Sequence, residues 1–323
     1  MKSYDRADPE LWAGRKSDQK LYLHEKVECM ALEELTQEAD SKIFALLGYA
    51  CDEGVRRNQG RIGAEYGPGQ IRRQLAKLPN LLNEGTRFVD LGNVNCLGGN
   101  MEGAQAHLAE LVSQTLGKNA FPLLLGGGHD MAYGHFTGIK KYVGGDKSIG
   151  IINFDAHFDL RIPNMEDSEK TGNSGTPFYQ IAKDCEKSGT PFQYLCLGIR
   201  KDANTKVLFQ TAQNLEVSYV EKHNFTMHHL EAVKTEIGRF SENLDYIYVT
   251  VDLDGFSSAY APGTSAASPM GFDPQLVMEC LEQIIKSNKL ISLDIAEMNP
   301  DYDLDHQTAK LAASLVHFVL HQL

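Results

Sequence analysis

A doubly wound α/β fold is predicted for this chain by two features that run its whole length. Short apolar runs recur, and helix-length amphipathic stretches separate them, which is the pattern of a parallel sheet built from strand–helix–strand units. A third feature sets the scale: no Pro/Ser-rich linker, internal repeat or low-complexity tract divides the 323 residues. One domain over residues 1–323 is therefore expected, with a polar N-terminal extension over about 1–40.

Taken in order, Lys42–Leu47, Arg87–Leu91, Phe121–Leu125, Ser148–Phe154, Gln193–Leu197, Asp245–Val251 and Lys289–Leu293 are the predicted strands. They are nearly continuously apolar rather than alternating, as a strand covered on both faces requires. Helices are predicted over Gly69–Leu78, Glu102–Leu116 and Pro274–Lys286, with a closing helix from Asp305 to Leu320. The polar segment Pro163–Gly175 breaks the pattern just after a strand and reads as a long loop.

Composition narrows the function. At 42% hydrophobic and 23% charged residues the chain is neither disordered nor fibrous. A formal charge of -12 and a pI near 5.4, without a Lys/Arg stripe, repel phosphate backbones, so no nucleic-acid partner is expected. No window approaches the roughly 18 apolar residues of a membrane span. The start, MKSYDRADPELWAGRKSDQK, lacks the apolar core of a signal peptide. Cys29, Cys51, Cys96, Cys185, Cys196 and Cys280 are scattered, with no CxxC pair, and read as thiols in a reducing compartment. A cytoplasmic protein acting on a small molecule, without membrane contact and as a homo-oligomer, is expected.

The chemistry gathers where strands end, which is where open parallel sheets bind ligands. Phe121–Leu125 runs into Gly126-Gly127-Gly128-His129, and Ser148–Phe154 into Asp155-Ala156-His157-Phe158-Asp159. Asp245–Val251 runs into Asp252-Leu253-Asp254, and Lys289–Leu293 into Asp294-Ile295-Ala296-Glu297. In an extended strand end, residues i, i+2 and i+4 share a face, which would align Asp155, His157 and Asp159, and likewise Asp252 and Asp254. Carboxylates packed together repel and resist ionisation, whereas two divalent cations cancel the charge of four of them. Asp and His donors without cysteine favour manganese or another hard-to-borderline ion over a thiolate zinc site. Any one of these acids could simply cap a helix; together, each after a predicted strand, they read as a metal site. The glycines precede an imidazole rather than Gly-Lys-Ser/Thr, so they are not a phosphate loop. They are read as letting backbone pass close to the metals. His135, His228 and His229 lie outside these strand ends and are read as structural or surface residues.

These motifs resemble the ureohydrolase superfamily of arginases, agmatinases and formimidoylglutamases. The resemblance runs from Gly48–Arg72 through GGGHDMAYG, NFDAHFDLR, SGTPF and VDLDGFSSAYAPGTS to SLDIAEMNP. It implies a three-layer α/β/α sandwich around a mostly parallel, eight-stranded sheet. It implies two Mn2+ ions per chain, one held by His129, Asp155, Asp159 and Asp252, the other by Asp155, His157, Asp252 and Asp254, with a hydroxide between them. By the same matching Glu297 pairs with the cationic C–N group of the substrate, and Asp159 passes a proton to the departing amine.

Within the superfamily, the guanidine-cleaving members carry a histidine just before Gly-Thr-Pro-Phe, where this chain has Ser174, as formimidoylglutamases do. Arg161 stands where arginase has a neutral amide, and a guanidinium there suits a dicarboxylate substrate. Arg57 and Arg61, in the loop Arg56–Arg61, are expected at the rim. Asp130 departs from that branch, where Glu is commoner. The resemblance implies hydrolysis of N-formimidoyl-L-glutamate to L-glutamate and formamide. The alternatives are a guanidine hydrolase releasing urea from agmatine, guanidinobutyrate or arginine, a one-zinc deacetylase of related fold, and a paralogue that only binds.

Overall fold

The computed structural model describes residues 2–17, 19–36, 41–163 and 172–323. Most of the predicted loop Pro163–Gly175, with Glu166 and Asp167, lies outside the described residues. Strands form where apolar residues run together: β1 Tyr4–Asp5, β2 Glu28–Cys29, β3 Ile43–Ala50, β4 Arg87–Asn95, β5 Ala120–Gly126, β6 Ile149–Phe154, β7 Gln193–Ile199, β8 Ser218–Glu221, β9 Tyr246–Asp252 and β10 Leu290–Ala296. They form one sheet in the order β1-β4-β3-β5-β10-β9-β6-β7-β8, with β2 also on β4. The eight strands from β3 to β10 are all parallel to one another. The described sheet thus has ten strands rather than eight. The two additions are two-residue strands from the N-terminal segment, β1 being antiparallel to β4. They carry no apolar run that the sequence could show, and neither does β8, a half-exposed edge.

Helices cover both faces. On one side lie α3 Gly67–Leu75, α8 Leu230–Ser241, α9 Pro274–Lys286 and α10 Gln307–Gln322; on the other, α4 Met101–Gly117, α5 Met131–Val143, α6 Pro177–Ser188 and α7 Lys206–Asn214. Short helices α1 Leu23–Lys26 and α2 Glu53–Arg57 complete the chain. Strand β3 shows why its sequence is apolar without alternation: Phe44 and Leu46 enter one core, Ile43, Ala45 and Leu47 the other.

The N-terminal stretch is tied to this body by a buried polar knot. Arg72 of α3 makes a bidentate pair with Asp90 of β4, both bonds 2.8 Å, with side chains 1% and 0% exposed. The Trp12 indole donates to the same carboxylate at 2.8 Å. Removing one partner of a buried pair strands the other charge, which costs about 3–5 kcal/mol. Arg72→Ala should therefore lower the urea midpoint sharply at unchanged slope. A shift smaller than that of an ordinary surface substitution would count against the knot as a stabilising feature.

Candidate metal centre

The strands β5, β10, β9 and β6 stand side by side in the middle of the sheet. Their register brings Ile295 beside Leu125, Ala296 beside Asp252, and Phe154 beside Val251. Parallel strands in step end in step, so the residues that follow arrive at one edge. This is what gathers groups more than a hundred positions apart.

Local turns, not pleat alternation, then aim the side chains. Residues 155–159 have left β6, and Asp159 takes a left-handed φ of +48°. Asp155 Oδ1 accepts from the His157 N–H at 2.7 Å. Asp252 Oδ1 accepts from the Asp254 N–H at 2.8 Å as the chain turns through Leu253–Gly255. Both are Asx turns, for which Asp is well suited. Each occupies one carboxylate oxygen and leaves the other facing His129. The glycines before His129 have a different role from the one the sequence suggested. The N–H groups of Gly127 and Gly128 donate to Tyr49 and Cys51 carbonyls at 2.8 and 2.9 Å, and a Cβ on Gly127 would sit 1.9 Å from Cys51 O. They let the loop press against the end of β3.

His129 Nδ1 lies 2.9, 3.1 and 3.3 Å from the Oδ2 atoms of Asp159, Asp252 and Asp155. Nonetheless Nδ1, like Asp254 Oδ1, is buried and makes no properly directed hydrogen bond. Donor lone pairs that meet at this range without bonding one another point at a common centre, which is the arrangement a cation requires. One donor atom each from His129, Asp155, Asp159 and Asp252 lies within 4.8 Å of the others, and Asp155, His157 and Asp254 form a second such group. Asp252 falls in the first group only, whereas the resemblance placed it in both. Behind His129, Nε2 sits 2.9 Å from Thr250 Oγ1, the outer-sphere partner that a ligating imidazole needs. Asn153 donates to Asp155 Oδ2 at 3.0 Å. The residues fit a two-cation site of oxygen and imidazole donors.

These acids and imidazoles offset one another's charge. Burial, reinforced by Asp254 and Asp155, pushes the Asp252 carboxyl well above its usual range. Burial and the Asp155 charge raise Asp159. Asp155 goes the other way: burial opposes its ionisation, but His129 and His157 overcome that and hold it low. Burial likewise opposes charge on His129, yet Asp155, Asp159 and Asp252 raise its pKa well above the ordinary value. Burial and Asp254 push Glu297 up to about 8. Glu297 has φ +69°, and its Oε1 accepts from the His129 N–H at 2.9 Å. Two non-glycine residues in the left-handed region at one site mark strain held by the surrounding structure.

These groups open into a cavity of about 250 Å³ lined by Asn58, His157, Asp159, Arg161, Ser174, Asp252, Asp254, Ser265 and Glu297 among others. A larger cleft of about 570 Å³ opens at the opposite edge of the sheet, by Lys140, Ser148, Gln193 and Arg239. Among the described residues it holds no group of three ligating side chains. Arg161 and Ser174 thus lie where the sequence put them, in the cavity wall. Arg57 and Arg61 do not, and this corrects the expectation. The Arg57 guanidinium, 10% exposed, is consumed by Glu53, Glu102 and the carbonyls of Gly99 and Gly172. Arg61 donates to the carbonyls of Thr264 and Ser265 at 2.6 and 3.0 Å and stacks 3.8 Å over Tyr302. Both brace loops around the cavity, since carboxylates and carbonyls within reach outcompete solvent for a guanidinium. Asn58, missed in the sequence, donates to Ser174 Oγ at 3.0 Å. His135 is fully buried in α5, which selects the structural one of its two expected readings.

A profile of the arginase family matches residues 42–321. The formimidoylglutamase of Clostridium tetani is 39% identical over 98% of this chain and 96% of its own length. That of a Geobacillus species is 40% identical over 98% of this chain and 97% of its own. The crystal structure of Trypanosoma cruzi formiminoglutamase with Mn2+ shares the fold at a TM-score of 0.76 and 22% identity, covering 90% of this chain and 96% of that one. The family profile and relatives alike over nearly the full length place this chain in the arginase family.

Proposed function

We propose that this arginase-family hydrolase cleaves the amidine C–N bond of N-formimidoyl-L-glutamate, yielding L-glutamate and formamide, with two manganese ions. The observation that carries the choice of substrate is Arg161. It stands in the wall of the cavity that holds the metal-type donors, and among the described residues it makes no ion pair. The substrate has one amidinium and two carboxylates, so it needs a cation at one end of the site and an anion at the other. Arg161 supplies the first and Glu297 the second. Agmatine, with no carboxylate, would leave the guanidinium unpaired. The names of the relatives point the same way.

His129, Asp155, Asp159 and Asp252 hold one ion in this reading, and Asp155, His157 and Asp254 the other. Bound there, two such ions make water a nucleophile near neutral pH. The chain does the rest. In this reading Glu297 orients the amidinium, Asn58 and Ser174 line the cavity with the acids, and Asp159 hands a proton to the departing nitrogen. The six cysteines are free thiols, in keeping with a cytoplasmic enzyme.

The test is product identity. Formamide should appear from formimidoylglutamate, and little urea from agmatine or arginine. Arg161→Ala removes a charged hydrogen-bond donor worth about 1.5–3 kcal/mol, so KM should rise roughly 10–100-fold with kcat less affected. Guanidine cleavage should stay low, because no histidine stands at Ser174. Abundant urea from the unmodified protein, with formimidoylglutamate inert, overturns the substrate and leaves the metal site untouched.

A further inference from the structure

Beneath the metal-type donors runs a line of polar side chains sealed from solvent. Thr250 of β9, Asp294 and Ser292 of β10, and His135 of α5 are each 0% exposed. Polar groups so deep are costly unless bonded, and here they are bonded in series. The hydrogens can be followed from the far end. Ser292 Oγ lies 2.8 Å from the Pro122 carbonyl oxygen, which can only accept, so the serine hydroxyl donates to it. Ser292 Oγ therefore accepts from His135 Nε2, 2.6 Å away. His135 Nδ1 meets Asp294 Oδ2 at 2.6 Å, where the Tyr248 hydroxyl also donates. The other oxygen, Asp294 Oδ1, accepts from Thr250 Oγ1 at 2.5 Å. Its one hydrogen spent, Thr250 can only accept from His129 Nε2. An imidazole with its proton on Nε2 presents a lone pair at Nδ1, the atom that faces Asp155, Asp159 and Asp252.

We propose that His135 and Asp294 are positioning residues of the metal centre. They set the direction of the Thr250 hydroxyl, and through it keep Nδ1 of His129 available as a metal donor. The inference rests on the two-ion reading of the site. Neither residue lines the cavity, so their influence reaches the site through Thr250 rather than by touching substrate. Outer partners of a ligating histidine commonly govern metal affinity; here the control lies one residue further back in Asp294 and two in His135.

Asp294→Asn tests it with almost no change of shape. The Tyr248 hydroxyl needs an acceptor, so the new carbonyl faces it and the new NH2 faces Thr250. His135, no longer opposite a carboxylate, keeps one ring proton, on Nδ1 toward that carbonyl, while Ser292 turns its hydroxyl to Nε2. Thr250 then accepts from the amide and donates to His129 Nε2, which drives the ring proton to Nδ1. Manganese titration of the purified chain, followed by calorimetry and by the spin-resonance signal of free ion, reads the outcome. Affinity for the ion at His129 should fall about 10–100-fold, while the ion at Asp155, His157 and Asp254 is hardly affected. Thr250→Val should show the same selective loss, and Thr250→Ser, which keeps the hydroxyl, should restore the original isotherm. The double variant Asp294→Asn/Thr250→Val should be no weaker than the weaker-binding single variant, because both break one chain. Nitrogen NMR of zinc-loaded protein should find the His129 proton on Nε2, and moved or metal-free in Asp294→Asn. If Asp294→Asn does not fold, the two Thr250 variants carry the test. Additive losses, equal weakening of both ions, or failure of Thr250→Ser to restore binding indicate a merely structural role and overturn the proposal. Two ions bound as tightly by Asp294→Asn as by the unmodified chain overturn it alone. One ion or none on the unmodified chain defeats the two-ion reading itself, and the proposal with it.

Discussion

Asp155→Ala is expected to lose both manganese ions and with them at least about 10⁴-fold in turnover, roughly 5 kcal/mol of barrier. Among the described residues Asp155 alone belongs to both donor groups, and it is the acid that His129 and His157 hold ionised. His129→Ala removes a donor from the first group only, so one ion should remain. Asp252→Ala should lose the first ion outright and weaken the second indirectly, because Asp252 Oδ1 holds the turn that presents Asp254. A chelator should abolish activity, and added manganese should restore it. The metal-free Asp155→Ala chain should melt lower than the metal-free original, because His129 and His157 lose the carboxylate they hold ionised and the His157 N–H and the Asn153 amide lose their acceptor. Elemental analysis after gel filtration measures the stoichiometry. One zinc per chain with full activity would sink the two-ion assignment.

Glu297→Gln should reduce kcat by about two to three orders of magnitude while both ions stay bound. The geometry makes this substitution clean. Glu297 Oε1 accepts from the His129 N–H at 2.9 Å, and a glutamine oxygen can keep that bond. What disappears is the charge. Burial and Asp254 push the carboxyl up to about 8, so its ionised form depends on nearby cations, which favour it. In the proposed reaction the two ions and the substrate amidinium would be those cations. In a water-excluded site a charge aimed at the reacting group contributes on the order of 2–4 kcal/mol to the transition state. Steady-state kinetics with metal analysis on the same sample decides it. If kcat stays near the original, Glu297 serves only to hold the His129 loop.

The fold and the donor set were legible in the sequence for one physical reason. A parallel strand buried on both faces must be apolar throughout, so polar residues at its end are conspicuous, and His129, Asp155, Asp252 and Glu297 stand at such ends. The edge strands β1, β2 and β8 were not legible, because a strand that buries little needs no apolar run. Within the site, a period-two reading put Asp155, His157 and Asp159 on one face, whereas the structure divides them between two donor groups that share Asp155, through Asx turns and a left-handed Asp159 that depend on the shape of the finished loop.

Arg161 and Arg57 show where one-dimensional reading stops. Both are arginines near the motifs, and their sequence neighbourhoods do not say which lines the cavity. Only folding brings Glu102 and the Gly172 carbonyl to Arg57 and leaves Arg161 in the cavity wall. The same holds for His135, which joins Asp294 across 159 positions. Residue type and strand-end position determine which groups can bind a metal, because those are local properties of the chain. Which guanidinium lines the cavity, and which buried histidine stands behind His129, is decided by long-range neighbours that exist only once the sheet and its two helical layers have closed.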